Sequence, residues 1–555
     1  MSDDAHISRR EFVGTTATAA LAFTIVPRHV LGGPGYVAPS DRLNVAIVGA
    51  GGMGMSNMTV LAAGGENIVA VCDVDYGYVE RSLAGRTRTP VPRPEMTAEE
   101  VADQRKDYAN ALTMSAAFAK AKRYDDFRVM LEKEKHVDGV VVATPDHTHA
   151  AIAHAAMLAG KHVYVQKPLT YSVYEARLLA RTAAERPKLV TQMGNQGHSL
   201  EGTRRIVEMI AAGVIGPVRE VHVWTDRPLR YWAQGIPRPT QPAVIQPTTA
   251  QAARLRAREA ARLARQQAAQ AAQAAVAQPA VQQQVAPPTT QPPVPPRWNM
   301  RTVDQALLKQ MAADAQSPPP TLHWDLFLGG APDIPYHPAY HPFSWRGWID
   351  FGVSAIGDMG AHLMDQPYWA LDLGLPTSVL STSTPWGGPA TNPGSYPLAM
   401  TSYYEFPARG DRPPVKLTWY DGGLTAPMPE GVPLPEGDGG GGLFVGEKGY
   451  ITYETYGEHP KVYPESAAAA ALAVPKTMPR VAVPHEINWA QACKGHAKAS
   501  SPFEYAARLT ETMLLGVAAL RAGERIDYDG AAMRITNVPD ANQFLTREYR
   551  KGWEL

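Results

Sequence analysis

Leu43-Asn44-Val45-Ala46-Ile47-Val48-Gly49-Ala50-Gly51-Gly52-Met53-Gly54 is the stretch that decides the fold. Its first six residues are mostly apolar and read as a short buried strand, and glycines follow at once. A helix-compatible segment then runs to about Ala63, and a second strand, Ile68–Cys72, ends at Asp73. Each part has a mechanical task. Gly49 permits a tight turn, Gly51 lets the backbone approach a pyrophosphate, and Gly54 lets helix and strand pack closely. Gly52 and Met53 stand where the helix begins, so its N-terminus faces the phosphate charge. Asp73 is placed to accept from adenosine ribose hydroxyls, and its charge disfavours a 2′-phosphate. The ordered parts predict a Rossmann domain that binds NAD rather than NADP.

Further along, a polar, arginine-rich stretch at 81–110 reads as an insertion over the surface. Tyr124–Phe127 starts a short helix leading to strand Val137–Ala143. Thr144-Pro145-Asp146-His147-Thr148-His149 closes that strand and opens a helix through Leu158. Strand His162–Val165 ends in Gln166-Lys167-Pro168. Ligands of open parallel sheets bind beyond the carboxyl ends of strands, where Thr144, Pro145, His149 and Lys167 all fall. For His149 a helix cap or packing role competes with a ligand role.

Composition bounds the remainder. The chain has 555 residues, with 53 basic and 53 acidic side chains, so no whole-protein basic footprint for nucleic acid exists. Two cysteines, Cys72 and Cys493, cannot make a disulfide framework. Ser8-Arg9-Arg10-Glu11-Phe12 precedes a small-residue apolar run to Val26 and resembles a twin-arginine export signal. Residues 1–40 are therefore expected to be an address, with membrane contact only during export and a periplasmic or otherwise exported destination. Residues 236–320 form a Pro/Gln/Ala-rich insertion whose flanks are too poor in apolar residues to order themselves.

The chain resembles the glucose–fructose oxidoreductase and inositol dehydrogenase (Gfo/Idh/MocA) family. Gly49–Gly54, Thr144–His149, Gln166-Lys167-Pro168 and Gly357-Asp358-Met359-Gly360-Ala361-His362 carry the likeness. Gly194–His198, Trp224–Pro228, Tyr336–Trp348, Phe444–Gly449 and Tyr549–Trp553 look like its exported bacterial branch. The resemblance implies an α/β protein. A Rossmann domain at 41–190 would precede a C-terminal α/β domain with a large open, mainly antiparallel sheet, from 191–235 and 321–555. It also implies association into a homo-oligomer through that sheet. Gln166 stands where the family usually has Glu, which removes a negative charge beside Lys167.

The resemblance further implies the chemistry. His362 matches the family's base, close to neutrality by its intrinsic pKa. Asp358, one helical turn earlier, would bind a substrate hydroxyl or hold the imidazole, and Lys167 would donate to the reacting oxygen. Asn195 would touch the cofactor. Gln196, His198, Trp224, Arg227, Trp232, Tyr340, Trp345 and Arg346 mix flat rings with fixed donors and suit a carbohydrate. His337, His341 and His362 with Asp358 and Asp365 lack a tight metal signature, and no metal is expected.

Three functions fit. The first is NAD-dependent hydride transfer on a sugar, polyol or derivative. The second is a redox-neutral glycoside hydrolysis by oxidation, elimination, hydration and re-reduction, as in relatives resembling glycoside hydrolase family 109. The paired carboxylates of ordinary glycosidases are not evident. The third, a non-enzymatic sugar-binding scaffold, predicts loss of Lys167 or His362, and both are present.

Helix Glu504–Ala522 should end at Gly523, strands are expected at Ala399–Phe406, Val415–Tyr420 and Leu443–Val445, and Ala467–Ala471 reads as a surface tract.

Overall fold

A computed structural model describes residues 41–239, 317–388, 393–435, 437 and 439–555. The expected address segment, and all but the ends of the 236–320 insertion, lie outside the described residues.

The first sheet is built from β1 (Asn44–Val48), β2 (Asn67–Cys72), β3 (Lys122–Tyr124), β4 (Gly139–Val142), β5 (His162–Val165) and β6 (Thr191–Met193). Their order is β3-β2-β1-β4-β5-β6, and every pairing is parallel. Both faces are covered by helices, which is why β4 reads Gly-Val-Val-Val and is buried throughout. The strand order reverses between β1 and β4, so a crevice opens at their carboxyl ends. β6 belongs to this sheet, which carries it past the expected boundary at residue 190.

The arginine-rich stretch 81–110 runs over the surface as expected, with none of its residues buried, but it is not irregular throughout. It contains the ends of helices Tyr76–Arg86 and Ala98–Lys120. The second starts at a capping box in which Thr97 and Glu100 satisfy each other's backbone N–H, and it buries Ala111, Met114 and Phe118. Only three of its twenty-three residues are buried, all in the second half, so the periodic signal in the sequence is short.

The second sheet holds β7 (Val218–Thr225), β8 (Ser378–Ser383), β9 (Met400–Phe406), β10 (Val415–Tyr420), β11 (Gly440–Gly446), β12 (Gly449–Glu454), β13 (Lys461–Tyr463), β14 (Ile526–Asp529) and β15 (Arg534–Ile535). Its order is β13-β12-β11-β7-β10-β9-β8-β14-β15. Only β7 and β10 run parallel, so the sheet is mixed and mainly antiparallel. Helices Ser354–Leu363 and Phe503–Ala522 pack on one another, with Met513 against Gly360, and Tyr404 of β9 reaches Gly516 of the longer one. The longer helix ends at Gly523 in the left-handed region (φ 69°), as the sequence predicts.

The two sheets are not separable along the chain. Trp489, on helix His485–Cys493, packs over Gly139 of β4, where a Cβ would come within 2.7 Å of the indole. Arg177, on helix Val173–Ala184, pairs in two-point fashion with Glu511 of helix Phe503–Ala522 at 2.8 and 2.6 Å. Residues 236–239, assigned to the insertion from sequence, are part of the fold. Ile236 is buried, and Arg238 makes a buried fork to Asp350 at 3.0 and 2.9 Å. The tract Ala467–Ala471 lies at the surface as expected, in helix Glu465–Ala473, which buries Ala467 and Ala471, one turn apart, and exposes Ala469 and Ala470. Among the described residues no helix is long and apolar enough to cross a membrane.

Candidate active site

The crevice between β1 and β4 opens into a cleft of about 650 Å³ that runs from the glycine turn to helix Ser354–Leu363. At one end, Gly49 adopts φ 85°, and a Cβ there would lie 2.6 Å from Ala143 O. A Cβ on Gly54 would overlap Gly49 O, so the helix can touch the strand only without a side chain at this point. Gly52, the N-cap residue, carries no side-chain cap, and a Cβ on it would meet nothing within 4 Å. The first turn of the helix therefore offers backbone N–H groups to the cleft. Asp73 accepts from Ala50 N at 2.6 Å and Gly51 N at 3.2 Å. Burial pushes its carboxyl up to about 6 against those bonds. Thr144, Pro145 and Met53 line the same half.

The other half gathers charge. Lys167 Nζ donates to Asp358 O at 2.5 Å and Asp358 Oδ1 at 2.8 Å. Arg346 Nε donates to the same Oδ1 at 3.1 Å, and Arg227 Nε lies 3.9 Å from Oδ2. Burial alone would raise the Asp358 carboxyl. Lys167 and then Arg346 overcome it and hold the group well below the usual carboxylate range. Of the two roles expected for Asp358, a substrate hydroxyl or the imidazole, the second is not seen: its carboxylate is held by the cations.

His362 lies one turn on and is buried, with its ring edge-to-face with Tyr456 at 4.7 Å. Burial and the neighbouring Lys167 push its pKa well below 6.5, a correction to the near-neutral value expected from the free side chain. Its Nδ1 is buried without a partner among the described residues, and the residue lines the cleft.

The cleft brings together Gly49, Gly51, Gly52, Met53, Asp73, Thr144, Pro145, Lys167, Gln196, Arg227, Trp345, Arg346, Asp358 and His362. Other expected site residues lie elsewhere. His149 is buried between Pro168 O and Thr144 O, 2.8 Å from each, and clamps the loops after β4 and β5 together. Burial lowers its pKa to about 4. Asn195 is wholly buried and does not line the cleft. His198 is held by Asp365 at 3.0 Å and stacks on Trp369 at 4.0 Å. Trp224 packs with Ala426, Val432 and Leu443. Trp232 is buried with Nε1 donating to Gln234, and Tyr340 sits in an aromatic cluster with Trp348 and Phe351. Tyr340 is core because the aromatic-rich segment 324–351 folds on itself, which sequence spacing does not reveal.

Asp146, Tyr456 and Tyr78 line the cleft and were missed. Asp146 sits inside the quoted Thr144–His149 segment. Burial pushes its carboxyl up to about 7, although Arg346 and Lys167 pull it down. Tyr456 arrives from a turn after β12 and has no motif to mark it. Gln166 turns away from Lys167: its Nε2 donates to Asn57 Oδ1 at 2.9 Å, and Asn57 donates to buried Glu486 at 2.7 Å. Among the described residues no group of three or more His, Cys, Asp or Glu side chains is arranged to hold a metal ion.

A Gfo/Idh/MocA family model described as "Oxidoreductase family, NAD-binding Rossmann fold" matches residues 43–193. A companion, "Oxidoreductase family, C-terminal alpha/beta domain", matches residues 298–379. Over these two stretches the chain is similar to the Gfo/Idh/MocA NAD-binding oxidoreductase fold. Among curated relatives, a glycosyl hydrolase family 109 protein of Saccharopolyspora erythraea is 30% identical over 179 residues, 32% of this chain and 34% of the relative. Inositol 2-dehydrogenase of Salmonella typhimurium is 26% identical over 182 residues, 32% of this chain and 45% of the relative. The chain thus spans a third to somewhat under a half of the length of these relatives. A solved structure of the WlbA dehydrogenase from Bordetella pertussis, in complex with NADH and UDP-GlcNAcA, aligns over 88% of this chain and 99% of its own. Its TM-score is 0.48, at 12% identity.

Proposed function

We propose that this protein is an NAD-dependent oxidoreductase that moves a hydride between a sugar, polyol or sugar derivative and a tightly held nicotinamide dinucleotide. The observation that carries this reading is one continuous cleft joining the glycine turn to Lys167 and His362. The residues present fit the dinucleotide. Uncapped helix N–H groups beside Gly52 suit its pyrophosphate, and Asp73 at the end of β2 suits a ribose diol and opposes a 2′-phosphate.

The cofactor, when bound, supplies the hydride acceptor. The chain's own residues manage the proton and the charge. His362, kept neutral by burial, takes the hydroxyl proton at Nε2. Lys167 Nζ holds charge against the reacting oxygen, while Asp358 fixes that ammonium by two hydrogen bonds. Tyr456 closes one side of the imidazole and limits its rotation.

A second reading is favoured by the 30% identity to a family 109 hydrolase over 179 residues: the same first step, followed by loss of an aglycone, hydration and re-reduction. Supplying the NAD-loaded protein with free sugars and with aryl glycosides separates the two. Accumulating reduced cofactor supports the oxidoreductase. Aglycone released over many turnovers with no net reduced cofactor establishes the hydrolase.

Export through a twin-arginine route is supported by Ser8–Phe12 and the apolar run that follows. Self-association through the outer face of the second sheet is supported by Leu380 and Tyr403, paired across β8 and β9 and 37% and 43% exposed.

A further inference from the structure

We infer that the substrate of this cleft bears an anionic group, a carboxylate or a phosphate, received by the guanidinium groups of Arg227 and Arg346. This rests on the cleft being a sugar-oxidising site and deepens that reading by naming the substrate class.

The first observation is charge. In the half of the cleft away from the glycine turn, three cations, Lys167, Arg227 and Arg346, face one strongly ionised carboxylate, Asp358. The other acid there is Asp146, whose carboxyl burial pushes up to about 7, so it is only partly charged at neutral pH. Asp226 pairs with Arg227 but is shared with Arg230 at 3.0 Å, and so adds no surplus negative charge. The side chains of Arg227 and Arg346 are each only 16% exposed, so water screens this excess less than it would at the surface.

The second observation is that both guanidinium groups are pre-set. Arg346 lies 4.3 Å from the Phe343 ring and 4.2 Å from the Trp345 ring. Its Nε is committed to Asp358 and its Nη1 to Phe343 O at 3.0 Å, which leaves Nη2 without an acceptor among the described residues. Arg227 lies over the Tyr231 ring at 3.4 Å, and its Nη1 is bound by Asp226. Its Nη2 likewise has no acceptor there. A planar fork held on an aromatic face, with donors still free, suits bidentate recognition of a carboxylate or phosphate.

The third is the shortage of acceptors. A neutral polyol needs acceptors as well as donors for its hydroxyls. Both oxygens of Asp358 already face cations, through Lys167 and Arg346 on one and Arg227 on the other.

The test is calorimetric titration of the full-length protein saturated with NADH, at fixed ionic strength, with matched ligands. These are glucose against glucuronate and glucose 6-phosphate, and galactose against galacturonate and galactose 6-phosphate. At least one acid should bind about tenfold to a hundredfold more tightly than its neutral partner, the range for hydrogen bonds to a charged group. Whether the uronates or the phosphates gain identifies the anion. Arg346→Met and Arg227→Met, each checked for unchanged NADH binding, should each erase most of that preference. Arg346→Lys should keep part of it, since charge survives but the fork does not. Equal binding of acids and neutral sugars, or no acid binding while NADH binds, overturns the inference. So does a preference untouched in both arginine variants. Failure to bind NADH refutes the underlying oxidoreductase reading instead.

Discussion

At the scale of single residues, the site depends on where charge is tolerated. Lys167, Asp358 and His362 were legible from sequence as a set, but their pairing was not. The resemblance offered Asp358 either to a substrate hydroxyl or to His362, whereas the carboxylate turns to Lys167 and Arg346. Opposite charge within hydrogen-bond reach outweighs a neutral imidazole one turn away. This separates the roles of the two helix residues. His362→Gln should lower turnover about a hundredfold to ten-thousandfold while leaving NADH affinity within a factor of a few. Steady-state kinetics alongside fluorescence titration checks both halves of that expectation. A comparable loss of NADH binding would mean that His362 holds the cofactor.

Elements decide which of the predicted residues reach the cleft. The strand, turn and helix at 44–63 came through because each glycine there answers a steric demand visible in the pattern itself. Gly54 is the sharpest case. Gly54→Ala forces the helix away from Gly49 and should cost about 1–3 kcal/mol, as overpacking does, together with most of the cofactor affinity. Denaturant melts and NADH titration of the variant measure the two losses.

His147 shows the opposite side of legibility, since nothing in the sequence separates it from a cleft residue. Its ring sits between Phe327 O at 2.8 Å and Phe351 O at 3.2 Å and ties the loop after β4 to the segment 327–351. Burial, reinforced by Arg547, lowers its pKa to about 3. The unfolded chain therefore binds a proton near pH 6.5 that the folded chain refuses. The neutral form's stability is fully present above that value and is lost as pH falls toward about 3. Relative to His147→Gln, the protein should lose about 1.4 kcal/mol per pH unit between pH 6 and 4. Chemical denaturation of both proteins across that range reads the slope. Parallel curves would show that His147 is not held neutral.

For the whole molecule, the Rossmann domain was readable from sequence, because strand and turn signals are local, and the mainly antiparallel second sheet followed from the family resemblance. The closure between them was not. Trp489 covers Gly139 of β4, and Arg177 on a helix of the first half binds Glu511 of the C-terminal helix, contacts that join residues more than three hundred positions apart. Aromatic side chains at 224, 232 and 340 were assigned to substrate for the same reason: composition cannot tell a ring in a cleft from a ring under a sheet. The consequence is one cooperative unit. A fragment of residues 41–193 should fail to fold on its own, because its helix and strand faces lose Trp489 and the 503–522 helix. Residues 41–555 should unfold in a single calorimetric transition. A fragment with a native-like melt would contradict this interlocking.

The central claim is that the cleft carries hydride between a sugar-type substrate and a bound nicotinamide. It is tested most directly by following reduced-nicotinamide absorbance in NAD-loaded protein on addition of neutral and acidic sugars. The full-length protein, Lys167→Met and His362→Gln are run in parallel, each first shown to bind NADH. The account predicts that at least one sugar reduces the cofactor in the unaltered protein, and that both variants stay bound but nearly silent. Reduction that proceeds undiminished in both variants would contradict it, as would cofactor that binds and is never reduced by any sugar, sugar acid or glycoside.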